Sequence, residues 1–436
     1  MALKNNTWKL NQWYDQDVAG NVSYIGATEL WVAGDGRMTG ASNNTKYSSP
    51  VQIPGTNWAR IGIRNTHVAG VKTDGTLWMW VLNEKGQLGQ SNKTQYSSPV
   101  QVGSDTTWAK IGATTEGSSM VIKNDGTLWT WGKDSYGALG QNSSGGSGYS
   151  SPRQVPGTTW NEVVGQQQGM TATKTDGTLW TWGQNGDGQL GQNEGSIFNT
   201  QRSSPVQVGS DTDWNKPVDC RSKSGAAIKT DGTLWMWGEN SAGILGHNNE
   251  TKYSSPVQVP GTWATAVMGR DCSLATKTDG TLWAWGDNTH GELAQNHRDE
   301  RSSPVQIPGS TWGTGAGSLA SADEWAGALK TDGTLWFWGR NEYGQFGNNE
   351  AGNRYSSPVQ VPGTTWRTIH LGHKSAFATK TDGTLWSWGY GKRSNIGLLG
   401  INSTTYYSSP VQIGSETDWH SNLGGSYFTT FGMRMN

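Results

Sequence analysis

The amino-acid sequence predicts an all-β protein, a closed β-propeller of four-stranded blades, and three observations predict it. The first is a repeated phrase: "KTDGTLW" stands at Lys72–Trp78 and returns at Lys174, Lys229, Lys277, Lys330 and Lys380, with "KNDGTLW" at Lys123. The second is its period. Trp58, Trp108, Trp160, Trp214, Trp263, Trp312, Trp366 and Trp419 open successive units at spacings of 50, 52, 54, 49, 49, 54 and 53 residues, and a fixed period of this size marks a propeller, solenoid or array. The third is composition. There are 26 Trp and only 6 Phe, so tryptophan takes the place of the usual core residues.

Each unit reads in four parts. W-x-x-(I/V) is a short opening strand. A hairpin follows, because Asp-Gly between two strand-forming runs suits a two-residue type I′ turn with positive φ at both central positions. On this reading Asp74-Gly75, Asp125-Gly126, Asp176-Gly177, Asp231-Gly232, Asp279-Gly280, Asp332-Gly333 and Asp382-Gly383 are structural turns. In "TLWMWG", Trp235 and Trp237 share one face and Leu234 and Met236 the other, so this strand is apolar on both sides and packs between neighbouring sheets. A Gly/Asn-rich loop comes next. "SSPVQV" closes the unit; its proline cannot donate to a ladder, which places it on an edge as the outer strand.

The tryptophans fall into columns: eight openers, eight in "LW" and seven two residues later, where Ala33 takes the eighth place. Only Trp8, Trp13 and Trp325 lie outside them. Each column is expected to be core, an aromatic side chain burying roughly 200 Å². Eight "LW" strands favour eight blades, with seven as the alternative. Residues 419–436 hold an opening strand and a second strand, whereas 26–57 hold "LWVAG" and "SSPVQI". The expected organisation is one propeller domain over 26–436, closed by joining 419–436 to 26–57 and thereby removing free edges. Residues 1–25 form an N-terminal segment that donates strands or makes contacts.

The phrase "KTDGTLWMWGENSAGILG" resembles the repeat of the regulator-of-chromosome-condensation family, in particular its bacterial and phage-borne branch, over about residues 20–436. The resemblance implies a β-propeller, usually of seven blades. The nucleotide-exchange role of the eukaryotic founder rests on surface features and a basic tail that this sequence does not show. Asn/Gly/Ser/Thr/Trp-rich relatives resemble virion appendage proteins.

Composition and motifs bound the chemistry. The formal net charge is −1 with 15% charged residues, which excludes the electrostatic footprint of a nucleic-acid binder. No apolar stretch is long enough for a membrane helix, and "MALKNNTWKLNQWYDQ" has no apolar core of a signal peptide. Cys220 and Cys272 read as two free thiols. There is no G-x-x-x-x-G-K-[ST], G-x-S-x-G or H-E-x-x-H, and His370 and His373 fall on opposite strand faces. A regular array of Asp is framework, while a catalytic pair would be singular. The sequence therefore points to a protein that is not an enzyme and uses no metal or other cofactor.

What varies is the loop between "WG" and "SSP", and binding groups favour loops on a rigid scaffold. The candidate contact residues are Trp8, Trp13, Ile197, Phe198, His297, Arg298 and Trp325. The expected function is a structural or binding propeller of a phage virion, in a tail or capsid appendage. It would contact other virion proteins, or a host surface protein or glycan, as multiple copies in a symmetric assembly. The alternative is a protein-binding adaptor in the bacterial cytoplasm or at the cell surface.

Overall fold

The computed structural model describes residues 28–435 apart from short stretches at 36–38, 42–44, 65–66, 113–116, 144–145, 147, 167, 195–199, 221, 373, 394–395 and 426–428. Among the described residues the chain forms eight four-stranded antiparallel sheets and one two-stranded ribbon, Lys392–Arg393 with Ile396–Gly397, so the eight-bladed propeller read from the "LW" count is what the chain forms. Helix among the described residues is limited to two short 3₁₀ turns, Ser135–Gly137 and Ser241–Gly243, and the helical Thr39. Seven blades are continuous in sequence; they open in turn at Trp58, Trp108, Trp160, Trp214, Trp263, Trp312 and Trp366 and are numbered 1 to 7 here.

Blade 1 shows the pattern. Trp58–Arg64 pairs with His67–Lys72, which pairs with Leu77–Val81, which pairs with Tyr96–Gln101. The opening strands of most neighbouring blades touch one another, so they form the inner ring. The proline-bearing strands form the outer edge, where a missing N–H costs nothing. The closing blade is composite. Its order is Tyr47–Thr56, Thr28–Gly34, Thr429–Met435, Trp419–Gly425, and Trp31 lies opposite Gly432.

The tryptophan columns are structural. The openers are at most 4% exposed and all seven of the second "WxW" tryptophans, Trp80 to Trp388, are fully buried. The "LW" column is half-buried. In blades 1 to 7 its indole N–H donates to the Thr hydroxyl of the preceding turn, as Trp78 does to Thr76 at 2.9 Å, while Trp31 donates to the Glu29 carboxylate. In each of blades 1 to 7 a lysine head lies over both the opener and the "LW" ring, for example Lys123 at 4.6 and 4.1 Å from Trp108 and Trp129. In the composite blade Arg434 does this for Trp31 and Trp419. Desolvated cation–π contacts of this kind contribute ~1–2 kcal/mol each.

The turn differs in type from the sequence reading. The Gly75 N–H donates to the Lys72 carbonyl and the Lys72 N–H to the Thr76 carbonyl. Thr73 and Asp74 are thus the central residues, and only Gly75, at φ 78°, is left-handed. Asp74 avoids positive φ because its carboxylate accepts both the N–H and the hydroxyl of Thr76, at 2.9 and 2.7 Å. The same pattern recurs at Asp125, Asp176, Asp231, Asp279, Asp332 and Asp382.

Candidate functional site

The two ends of the ring are built differently. One end carries the Asp-Gly turns. The other, the crown, carries the links between the first and second strands and the long loops between the third and outer strands. Most of the repeated letters at either end are spent on joining blades. On the turn face the opener's N–H donates to the turn glycine of the preceding blade, as Trp108 does to Gly75 at 3.0 Å and Trp263 to Gly232 at 2.7 Å. In the core the second tryptophan donates to the preceding loop: Trp131 to the Gln87 carbonyl, Trp285 to Ile244 and Trp338 to Glu292. At the outer crown a left-handed residue of each long loop donates to the next blade's "SSP" strand. Asn142 bonds Ser203, Asn193 bonds Ser254 and Asn402 bonds Ser48, each at 2.6–2.7 Å.

The long loops are also held from within. The buried Asn240 accepts the Leu245 N–H and donates to the Asn249 and Thr251 carbonyls. Asn83 and Asn288 act in the same way. At their base, then, the loops are framework. What remains free to vary is the residue just before the loop glycine: Lys85, Tyr136, Asp187, Ala242, His290 and Tyr343 in blades 1 to 6. In several blades it meets the next blade's first crown link. Asp187 pairs with Lys223 at 3.3 Å and with Lys252 at 2.5 Å. Tyr343 lies beneath Lys374, 4.3 Å from ring centroid to ammonium.

The sector of blades 5 to 7 concentrates these features. Tyr343, Tyr390 and Tyr406 form an aromatic cluster with centroids 4.9, 5.5 and 5.2 Å apart, and Tyr406 is 51% exposed. Arg340 pairs with both Glu324 and Glu342 beside it. In the neighbouring loop Asp287, His290 and Glu292 bring three possible ligand atoms within 4.8 Å of one another. Glu292 accepts the His290 N–H at 2.8 Å and stands 3.1 Å from its Nδ1. Burial pushes the Glu292 carboxyl up to about 7 and lowers the His290 imidazole.

Several candidate residues from the sequence are placed by the structure. Trp325 is not a contact residue. It is 2% exposed, opens the second strand of blade 6 opposite Gly339, and packs on Phe337 and Phe346 at 5.3 and 6.3 Å. At the same register blades 2, 4 and 7 carry Ser118, Ser224 and Ser375. His297 and Arg298 are on the crown: His297 is half-buried, with Asp299 and Arg301 at its ring nitrogens, and Arg298 is exposed. Trp8, Trp13, Ile197 and Phe198 lie outside the described residues. Cys220 and Cys272 are buried free thiols, pushed up by desolvation. The sequence reading missed the aromatic cluster and the Asp287–His290–Glu292 group. The available signal was "DNTHGEL", in which three ionisable letters replace the Gln, Ala, Ile and other residues of sister loops.

These features define an eight-bladed propeller with a repeated frame and a variable crown. The chain is an RCC1-repeat propeller: the regulator of chromosome condensation (RCC1) repeat matches residues 125–166, 176–220, 231–276, 279–313 and 332–379. It is 30% identical over 149 residues to the human E3 ubiquitin-protein ligase HERC2, a match covering 33% of this chain and 3% of that protein. The Danio rerio protein RCC2 homolog is 27% identical over 143 residues, 32% of this chain and 28% of that one. The chain therefore spans only a minor part of these relatives. Among solved structures, Prp20p of Saccharomyces cerevisiae superposes with a TM-score of 0.63 at 15% identity, covering 97% of this chain and 94% of that one. Human WBSCR16 gives 0.63 at 16%, covering 83% and 99%. At these identities the likeness is one of fold.

Proposed function

We propose that this protein is a non-enzymatic binding scaffold that recognises a protein partner through its crown, centred on blades 5 to 7. The observation that carries the reading is the division of labour in the repeat. Invariant letters hold the ring together, while the position before the loop glycine takes five different residues over blades 1 to 6 and sits on a rigid base. Tyr343, Tyr390 and the exposed Tyr406 supply aromatic groups of the kind enriched in binding hot spots, and Lys374 lies over Tyr343. The similarity to yeast RCC1 (Prp20), solved bound to Kap60 and studied for binding to Gsp1p and histones, supports a propeller used for protein contact.

The test is site-specific photo-crosslinking in cells that make the protein. A crosslinker at Tyr406 should give discrete protein adducts, and one at Thr175 or Asp279 on the turn face should not. Adducts confined to the turn face would overturn the assignment. The finer proposal is placement in a phage particle, with a bacterial adaptor as its alternative; it rests on the sequence. Immunogold label on purified particles supports the virion, and label restricted to the cell interior supports the adaptor.

A further inference from the structure

We propose that Asp287, His290 and Glu292 bind a divalent first-row transition ion of the Zn²⁺ type. One imidazole and two carboxylates suit such ions, whereas Mg²⁺ and Ca²⁺ prefer all-oxygen sites. The donor atoms lie within 4.8 Å of one another. Around an ion at ~2.1 Å they would stand about 3.4 Å apart, so a small side-chain rotation completes the site.

The other blades serve as an internal control. The place of Glu292 is held by Gln87, Ala138, Gln189, Ile244 and Gln345 in sister loops. Gln87, Gln189 and Gln345 accept the N–H two residues earlier through Oε1, as Glu292 does. Gln345 also donates its amide to the Arg340 carbonyl at 2.8 Å. A carboxylate keeps the first bond, loses the donor and brings a charge to a side chain 3% exposed. For the frame alone this exchange is a loss. It becomes useful when His290 and Asp287 arrive with it, and blade 5 is the one loop of the seven where all three coincide.

Glu324 acts electrostatically on both His290 and Glu292, with Arg340 and Arg354 as the opposing charges on His290. The ligands are also held in place. Asn288 bonds Leu293, His297 and Asp299, and Asp287 Oδ1 accepts Thr289, which leaves Oδ2 to face an ion. His290 is 17% exposed, so the ion keeps a solvent side for water or a further ligand.

The test titrates Co²⁺ into the full chain, following its visible bands, with Zn²⁺ as competitor. One equivalent should bind and be displaced by Zn²⁺ but not by Mg²⁺. Glu292→Gln installs the sister-loop residue, so it should fold with an unchanged far-ultraviolet spectrum while weakening Co²⁺ more than tenfold; His290→Ala should do the same. Absence of a bound equivalent in the wild type, or binding that Glu292→Gln leaves intact, would overturn the proposal.

Discussion

At the residue scale, one glycine and one histidine show what the frame demands. Gly177 has φ 80°, and a Cβ there would lie 1.9 Å from the Thr212 carbonyl oxygen; Gly209 has φ 61° with nothing within 4 Å. Gly177→Ala should cost on the order of 3 kcal/mol, because backbone must move, and Gly209→Ala about 1 kcal/mol from conformation alone. Equal denaturation midpoints for the two would contradict this. His67 is buried against the Ser119 hydroxyl at 2.8 Å, and desolvation lowers it to about 4. Between the ordinary histidine range and that value the unfolded chain binds a proton that the folded chain refuses. Stability is therefore full above the unfolded value and falls as pH drops from ~6.5 towards 4, by about 3 kcal/mol. His67→Ser, the residue of blades 2, 4 and 7, should flatten that slope in urea titrations across this window. The turn carboxylates act lower on the scale. Thr76 bonds hold Asp74 below the usual range, and Thr178 does so for Asp176. Their contribution is present above the unfolded carboxylate value and is lost as pH falls through the folded one.

At the element scale, the long loop of blade 2 departs from its sisters in a way that can be measured. Asp134 stands where Asn83, Asn185, Asn240 and Asn288 anchor their loops. It is 2% exposed and accepts the Leu139 N–H, and burial raises its carboxyl. A carboxylate has no amide to donate to the loop carbonyls. Asp134→Asn should therefore stabilise the protein by about 1 kcal/mol at pH 7, and the gain should shrink as pH falls and the aspartic acid takes up its proton. Thermal melts of both forms at pH 7 and pH 4 decide it. This element also shows how far the sequence could be read. Strand order within a blade and the three tryptophan columns were legible because each is written seven or eight times with one physical meaning. The turn type was not, since the Asp–Thr bonds that keep Asp74 out of the left-handed region are invisible in a dipeptide rule. Trp325 was read as a surface residue because it breaks the repeat, whereas it packs on Phe337 and Phe346 in the core. The crown cluster was missed because its members become neighbours only through the loop frame and the adjoining blades.

At the scale of the whole molecule, the ring is a chain of near-equal interfaces, one of which is different. Removing residues from 419 onward would strip the composite blade of its two C-terminal strands, freeing one edge of Thr28–Gly34 and uncovering the face of blade 7 that they pack on. Such exposed edges recruit other chains, so the truncated protein should elute as large oligomers and melt well below the full chain. A monomer with an unchanged melting temperature would show that the seam carries little of the stability.

That seam also sets the order of events in time. Nearly every strand pairing joins residues a few dozen apart, yet Trp31 must find Gly432. Blades 1 to 7 can assemble in turn as the polypeptide leaves the ribosome, each docking on its predecessor, but the strand Thr28–Gly34 waits for its second partner until Thr429–Met435 has been made. Bringing ends ~400 residues apart together costs about 2 kcal/mol more than closing a single 50-residue unit. Joining the seam is thus expected to come last in closing the ring. Until it happens the nascent protein is an open arc with two sticky ends, so crowding of many nascent copies favours arc-to-arc pairing over self-closure, and refolding yield should fall steeply with protein concentration.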